Sequence, residues 1–109
     1  MATYYVRRND RRPALSLTIS DAAGTSVNLT TATSVTLKVK APGATTLKVD
    51  SAMSVVSAAA GTVTRSWASG DTDTAGVYDL EAEVLWNDGT KQSFPPIGKH
   101  RLIVEPDLG

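Results

Sequence analysis

Three aspartates, Asp71, Asp73 and Asp79, lie in one short stretch and could supply the carboxylate oxygens that calcium prefers. Their spacing matches no complete calcium-binding loop, and aspartate also stabilises turns by accepting hydrogen bonds from nearby backbone amides. The chain has no cysteine and a single histidine, His100, which excludes thiolate and multi-histidine metal sites. We therefore predict no metal and no cofactor.

The same residues offer little for catalysis. Glu81 and Glu83 could form the pair of carboxylates that glycoside hydrolysis requires. Because they alternate along one predicted strand, they share its solvent-facing side, and hydration explains them better. A catalytic triad at His100 would need a serine and an acid that no motif supplies. We predict that the protein is not an enzyme.

Aromatic residues raise the question of carbohydrate binding. Trp86 stands beside the turn Asn87-Asp88-Gly89, where its ring could stack on a sugar. Trp67 and Tyr78 lie on the apolar sides of predicted strands, so we assign them to the core. A contact between Trp86 and a host-surface glycan stays open as an alternative.

Four arginines cluster near the start of the chain, directly after a short aromatic and apolar run. Eleven basic and eleven acidic residues give a net charge of zero, so no general basic field favours nucleic acid or an anionic membrane. Acidic groups on the same chain or on a neighbour could pair with the arginines, namely Asp10, Glu81, Glu83 and Glu105. We predict a protein interface formed by Tyr4, Tyr5, Arg7, Arg8, Arg11 and Arg12.

Length and composition indicate one β-rich domain. The 109 residues suffice for a single domain, and 24 of them are serine or threonine. Good helix formers are sparse, whereas β-branched residues fit a pleated, half-buried surface. The longest apolar run falls far short of the roughly 20 residues of a membrane helix. Residues 1–20 carry four arginines with no apolar stretch behind them, so we predict no secretory signal.

Period-two patterns separated by turn signals predict the strands. The clearest are Ala14–Ser20, Ser34–Lys40 and Gly76–Trp86, in which apolar and polar residues alternate. Shorter runs are Tyr4–Val6, Val27–Leu29, Thr46–Asp50, Thr62–Trp67, Lys91–Phe94 and His100–Glu105. Seven to nine such strands predict an all-β, two-layer antiparallel β-sandwich over residues 13–109, which the resemblances below identify as immunoglobulin-like. Residues 1–12 are predicted as an N-terminal arm or edge strand, without which the sandwich should still fold.

The run Asp73-Thr74-Ala75-Gly76-Val77-Tyr78 resembles the tyrosine corner of immunoglobulin-like domains. This resemblance implies that the Tyr78 hydroxyl bonds to nearby backbone at the entry of a central strand. Asp73 lies one residue further from the tyrosine than usual, and Leu80 occupies the place of the antibody cysteine. The resemblance therefore extends to the architecture and not to an antibody domain.

A wider resemblance covers most of the chain. After an N-terminal strand it comprises, in this order, Leu17, Asp21-Ala22-Ala23-Gly24, Val27–Thr30, Val35–Lys40, Gly61-Thr62-Val63, Trp67, the corner at 73–78, Glu81–Val84, Asn87-Asp88-Gly89 and Phe94-Pro95. This order resembles the N-terminal immunoglobulin-like domain of phage baseplate upper proteins and related small phage virion proteins. Larger members continue into further parts, whereas this sequence ends at Gly109.

The resemblance implies a structural, multi-copy component of a bacteriophage particle, assembled in the host cytoplasm. Its partners would be other phage structural proteins, at the tail or baseplate. Capsid decoration is the alternative within the same class, because small immunoglobulin-like domains also occur on phage heads. A carbohydrate- or surface-binding module is the alternative from a different class.

Overall fold

A computed structural model describes residues 2–96, 98–106 and 108, so the outer bounds 1 and 109 of the predicted segments lie outside the described residues. All regular elements in this part of the chain are β-strands. They are β1 (Thr3–Arg7), β2 (Leu15–Thr18), β3 (Ala32–Lys40), β4 (Val49–Ala52), β5 (Ser54–Ser57), β6 (Thr62–Arg65), β7 (Gly76–Trp86), β8 (Lys91–Phe94) and β9 (His100–Glu105). Within the described ranges, no helix has the length and apolar character needed to cross a membrane.

The nine strands form two sheets. The larger sheet has the order β1-β9-β7-β3-β4, with β8 also paired to β7, and the smaller one has the order β2-β6-β5. Apolar side chains from both sheets form one buried cluster between them. The predicted all-β sandwich of seven to nine strands is confirmed.

Alternation along the two central strands produces the core. Val35, Leu37 and Val39 on β3 are buried, and Leu80 and Val84 on β7 are buried beside them. Burying each such side chain contributes about 1.5–3 kcal/mol, which makes the β3–β7 pair the main stabilising unit. The polar residues between these positions point away from the core, as the period of two requires.

Two prolines separate β8 from β9, the two strands that pair with the same side of β7. β8 pairs with Ala82–Leu85 and β9 with Gly76–Leu80, because β3 already occupies the other side of β7. Pro95 and Pro96 follow β8 directly, and a proline has no amide hydrogen with which to continue the ladder. The chain therefore leaves β7 after Phe94 and rejoins it as β9.

One strand pair departs from the predicted antiparallel arrangement. β1 pairs with β9 in parallel, from Thr3 opposite Arg101 to Arg7 opposite Glu105. The prediction of an antiparallel sandwich throughout was wrong at this strand. Parallel neighbours need a long connection, and here the whole domain between β1 and β9 supplies it. The alternation pattern identifies a strand but carries no information about its direction.

Several strand assignments also differ from the sequence prediction. The run predicted at Val27–Leu29 forms no strand, although Leu29 is buried, and β5 was not predicted. The strand predicted at Thr62–Trp67 ends at Arg65, although the Trp67 side chain is buried as expected. The strand predicted at Thr46–Asp50 lies at Val49–Ala52, because Val49 is the residue that pairs with Val39 on β3.

The tyrosine corner is present at the entry to β7. The Tyr78 hydroxyl donates a hydrogen bond to the Thr74 carbonyl oxygen at 2.7 Å. Only 6% of the Tyr78 surface is exposed, so its ring belongs to the core while its hydroxyl fixes the preceding loop.

Tyr78→Phe is expected to lower the free energy of unfolding by about 1–2 kcal/mol, because it removes the hydrogen bond by which the buried ring holds the loop at Thr74. The measurement is urea denaturation followed by circular dichroism. Tyr5→Phe is the matched control, since Tyr5 is 64% exposed and should tolerate the same change. Equal midpoints for the two variants would show that the corner hydrogen bond contributes nothing.

Candidate functional site: the N-terminal edge of the sandwich

The side chains of β1 alternate between the core and solvent. Val6 is a member of the buried cluster, and Tyr4 packs partly against it. The Tyr4 ring meets the His100 ring edge to face, with centroids 5.9 Å apart. Tyr5 points the other way and is 64% exposed. β1 is therefore an integral edge strand that presents one large aromatic side chain outward.

The outer edge of β1 carries unpaired backbone groups. Ala2 and Arg8 bond to β9, through Arg101 N–H to Ala2 O at 2.9 Å and Arg8 N–H to Glu105 O at 2.7 Å. Because alternate residues of a parallel strand face opposite neighbours, Thr3 and Tyr5 direct their amide and carbonyl groups outward. No described strand pairs with this edge.

Residues 8–13 cross from the larger sheet to the smaller one and are held at several points. Asn9 adopts a left-handed backbone conformation, with φ of 66°, and its amide donates to the Thr72 carbonyl at 2.8 Å. The Thr72 hydroxyl donates in turn to the Asp10 carbonyl at 2.9 Å. Thr72 is itself buried, so this crossing segment closes one end of the sandwich.

Two of the predicted interface arginines bond to the chain's own backbone. Arg7 Nη1 donates to the Pro106 carbonyl at 3.0 Å, and Arg11 Nε donates to the Trp67 carbonyl at 3.0 Å. Arg8 is half-buried, whereas Arg12 is exposed and forms no ion pair with a described residue. The predicted set therefore does not form one uniform charged face. Tyr5 and Arg12 are its exposed members whose side chains form no hydrogen bond or ion pair with a described residue.

The three aspartates considered as calcium ligands pair with three different basic residues. Asp71 binds Arg65 at 2.8 Å and accepts the Ala68 amide, Asp73 binds Lys48, and Asp79 binds Lys99 at 3.2 Å. The hydrogen bond from Lys48 holds the pKa of Asp73 below its ordinary value. Among the described residues, no three metal-ligating side chains gather at one place.

Of the other candidates, Glu81 and Glu83 lie on the outer side of the larger sheet, whereas Trp86 follows the alternation of the inward side chains of β7 and packs partly against the core. Glu81 lies opposite Lys38 on the neighbouring strand, and Glu83 is 3.9 Å from Lys91. Trp86 is half-buried, and its indole N–H donates to the Gln92 side chain at 3.2 Å. These contacts link neighbouring strands and leave the Trp86 nitrogen already engaged.

His100 is the first residue of β9 and lies beside the start of β1. Its Nδ1 accepts the Ala2 amide hydrogen at 2.9 Å while its ring contacts Tyr4. Burial lowers the pKa of His100. A neutral ring is required here, because a protonated Nδ1 could no longer accept the amide hydrogen bond.

Stability is expected to fall as the pH drops from 7 to 5. His100 has a lower pKa in the folded chain than its ordinary value near 6.5, so the unfolded chain binds more protons in this range. The stabilisation is complete above the unfolded pKa and is lost progressively below it. Urea denaturation between pH 5 and 7.5 should show this slope in the wild type and a flatter one in His100→Gln. Equal slopes would contradict this role of His100.

A seam between β1 and β2 was not predicted from the sequence. It contains a groove of about 750 Å³ lined by Tyr4, His100, Ser16, Thr18 and Asp21 among others. A smaller groove of about 230 Å³ continues it and shares Tyr4 and Ser16 with the first. No residue pattern could have indicated this seam, because it depends on which strand edges the two sheets leave unpaired.

Comparison with known proteins supports the fold alone. No protein-family model matches the chain, and no curated protein matches its sequence. The crystal structure of CopC from Methylosinus trichosporium OB3b is similar, with a TM-score of 0.56 and 16% sequence identity. The similarity covers 100% of this chain and 89% of the CopC chain. At this level of identity, it shows a shared sandwich architecture.

Proposed function

We propose that this protein is a non-enzymatic structural component of a bacteriophage particle, associated with the tail or baseplate. It would be present in many copies and bind other phage structural proteins. Its place is the virion, after assembly in the host cytoplasm. The order of sequence motifs, from the Val35–Lys40 strand through the tyrosine corner to Phe94-Pro95, is the observation that carries this proposal.

The site geometry is compatible with assembly through strand edges. An exposed edge offers backbone donors and acceptors to a partner, as in β-strand addition. The β1 edge has such groups at Thr3 and Tyr5, with the Tyr5 ring exposed beside them. Aromatic residues that are accessible on a rigid element are typical anchors of protein interfaces. We expect Tyr5, at this edge, and Arg12, in the crossing segment that follows β1, to contact the partner protein.

Mass spectrometry of purified phage particles tests the proposal. Particles of the phage whose genome encodes this sequence should contain the chain at a constant ratio to the major capsid or tail proteins. The chain should stay with the particles through density-gradient purification and a salt wash. Its absence from purified particles, with abundant expression during infection, would contradict the proposal.

Capsid decoration remains the alternative position within the same class. Head and tail fractions separated before joining distinguish the two, because a tail component should appear in tails made without heads. A glycan array addresses the carbohydrate-binding alternative. Binding that Trp86→Ala abolishes would favour a surface-binding module over a purely structural one.

A further inference from the structure

The smaller sheet ends on one side at β2, whose outer edge is unpaired by any described strand. The Ile19 amide donates to the Gly61 carbonyl at 2.8 Å, in the register that pairs Leu17 with Val63. Because bonded and non-bonded pairs alternate in an antiparallel ladder, Ser16 and Thr18 turn their backbone groups away from β6. These groups face the seam between β1 and β2.

This edge lacks the features that protect the β4 and β5 edges from pairing. β5 carries an irregularity between Val55 and Ser57, which distorts its ladder. The β4 edge carries the exposed charge of Asp50. β2 has no lysine, proline or bulge between Leu15 and Thr18. Among the described residues, one side chain bonds to its outward backbone groups, because the Ser20 hydroxyl donates to the Thr18 carbonyl at 3.4 Å.

Charges of opposite sign flank the same edge. Arg12 precedes β2 and is exposed, and Asp21 follows it and is also exposed. If two β2 strands met in antiparallel orientation about a twofold axis at Leu17, Ser16 of each copy would lie opposite Thr18 of the other. In that register Arg12 of each copy lies beside the Asp21 region of the other. Opposite charges therefore meet at both ends of the paired strands.

We propose that the β2 edge binds the β2 edge of a second copy of this chain. The two three-stranded sheets would then form one continuous antiparallel sheet across the dimer. Backbone bonds between Ser16 and Thr18 hold the centre, and their hydroxyls lie side by side on the outer face. The Arg12–Asp21 pairs fix the register at both ends. This inference goes beyond the proposed function and concerns the isolated protein.

Amide hydrogen exchange of the wild-type protein, measured by NMR at low and high concentration, tests the proposal without any variant. The Ser16 and Thr18 amides should exchange fast at low concentration and become protected as the dimer forms. The Leu17 amide, which bonds within the sheet, should be protected throughout. Sedimentation velocity over the same range should show a shift from monomer to dimer. A monomer at every concentration would overturn the proposal.

Two variants localise the contact. Ser16→Pro removes an outward amide that bonds nothing within the sheet, and it should abolish dimerisation while the circular dichroism spectrum is retained. Arg12→Gln should weaken dimerisation by roughly two- to thirtyfold, since two symmetry-related surface pairs are lost. Lys91→Gln, which removes an exposed charge on β8, is the matched control.

A dimer that survives Ser16→Pro and shows no protection of the Thr18 amide would place the interface elsewhere and overturn the proposal. If Ser16→Pro fails to fold, the exchange pattern of the wild type decides instead. Because these measurements use the purified chain, their outcome is independent of whether the chain is found in phage particles.

Discussion

Deletion of residues 1–12 is expected to destabilise the sandwich by about 3 kcal/mol or more. The deletion removes the buried Val6 side chain, whose burial contributes about 1.5–3 kcal/mol. It also removes the carbonyl that accepts the buried Thr72 hydroxyl, and an unsatisfied buried polar group costs about 1–3 kcal/mol. The sequence-based expectation that the domain from Ala14 onward would fold unaided stays a prediction, and the contacts of Val6 and Thr72 favour the opposite result. Thermal denaturation followed by circular dichroism measures the effect.

Adjacent point variants provide the control for the deletion. Val6→Ala should account for about 2 kcal/mol of the loss, whereas Tyr5→Ala should change stability by less than about 0.5 kcal/mol. The two residues are neighbours on β1 and differ in which way they point. A truncated protein that melts at the wild-type temperature would mean that β1 is a dispensable arm.

Gly61→Ala is expected to lower the free energy of unfolding by about 3 kcal/mol or more, a loss large enough to unfold a marginal domain. Gly61 has φ of +71°, and a Cβ atom there would lie 2.4 Å from the Val27 carbonyl oxygen and 3.1 Å from that of Ile19. Both are backbone atoms, so relief requires moving the chain around the Ile19–Gly61 hydrogen bond. Equilibrium urea denaturation is the measurement.

Gly89→Ala separates backbone strain from collision. Gly89 has φ of +88° in the turn between β7 and β8, with no atom within 4 Å of the added Cβ. The free energy of unfolding should therefore fall only by the cost of placing alanine in a left-handed backbone conformation, about 1–2 kcal/mol. If Gly61→Ala costs no more than Gly89→Ala, the close approach of Val27 to Gly61 has no energetic consequence.

Side-chain periodicity was sufficient to predict the core of the larger sheet. The inward residues of β3 and β7 follow directly from alternation, because the hydrophobic effect assigns one face of each strand to the interior. The tyrosine corner also followed from a local motif, since the Tyr78 bond spans only four residues. Features set by neighbours in the chain are those that a single sequence reveals.

The N-terminal segment was only partly predictable, because its contacts are distant in sequence. The parallel partner of β1 lies at the other end of the chain, and the bonds of Arg7 and Arg11 go to carbonyls of Pro106 and Trp67. A run of arginines in a sequence does not indicate whether their side chains bind another protein or carbonyl groups of their own chain. The seam beside β2 was missed for the same reason, since it depends on the pairing of whole strands.

The integral position of β1 changes how assembly should be tested. Deletion of the N-terminal segment would impair particle incorporation through loss of stability as well as through loss of contacts. Tyr5→Ala avoids this problem, because the Tyr5 side chain is exposed at the β1 edge, whereas Arg12→Gln would also affect the proposed contact between two β2 edges. We expect Tyr5→Ala to fold normally and to enter particles less efficiently than the wild type.

Cryo-electron microscopy of the intact particle tests the central claim most directly. The account predicts density for this sandwich in many symmetry-related copies at the tail or baseplate, with the β1 edge and Tyr5 against a neighbouring structural protein. A particle reconstructed to side-chain resolution with every density assigned to other proteins would contradict the claim.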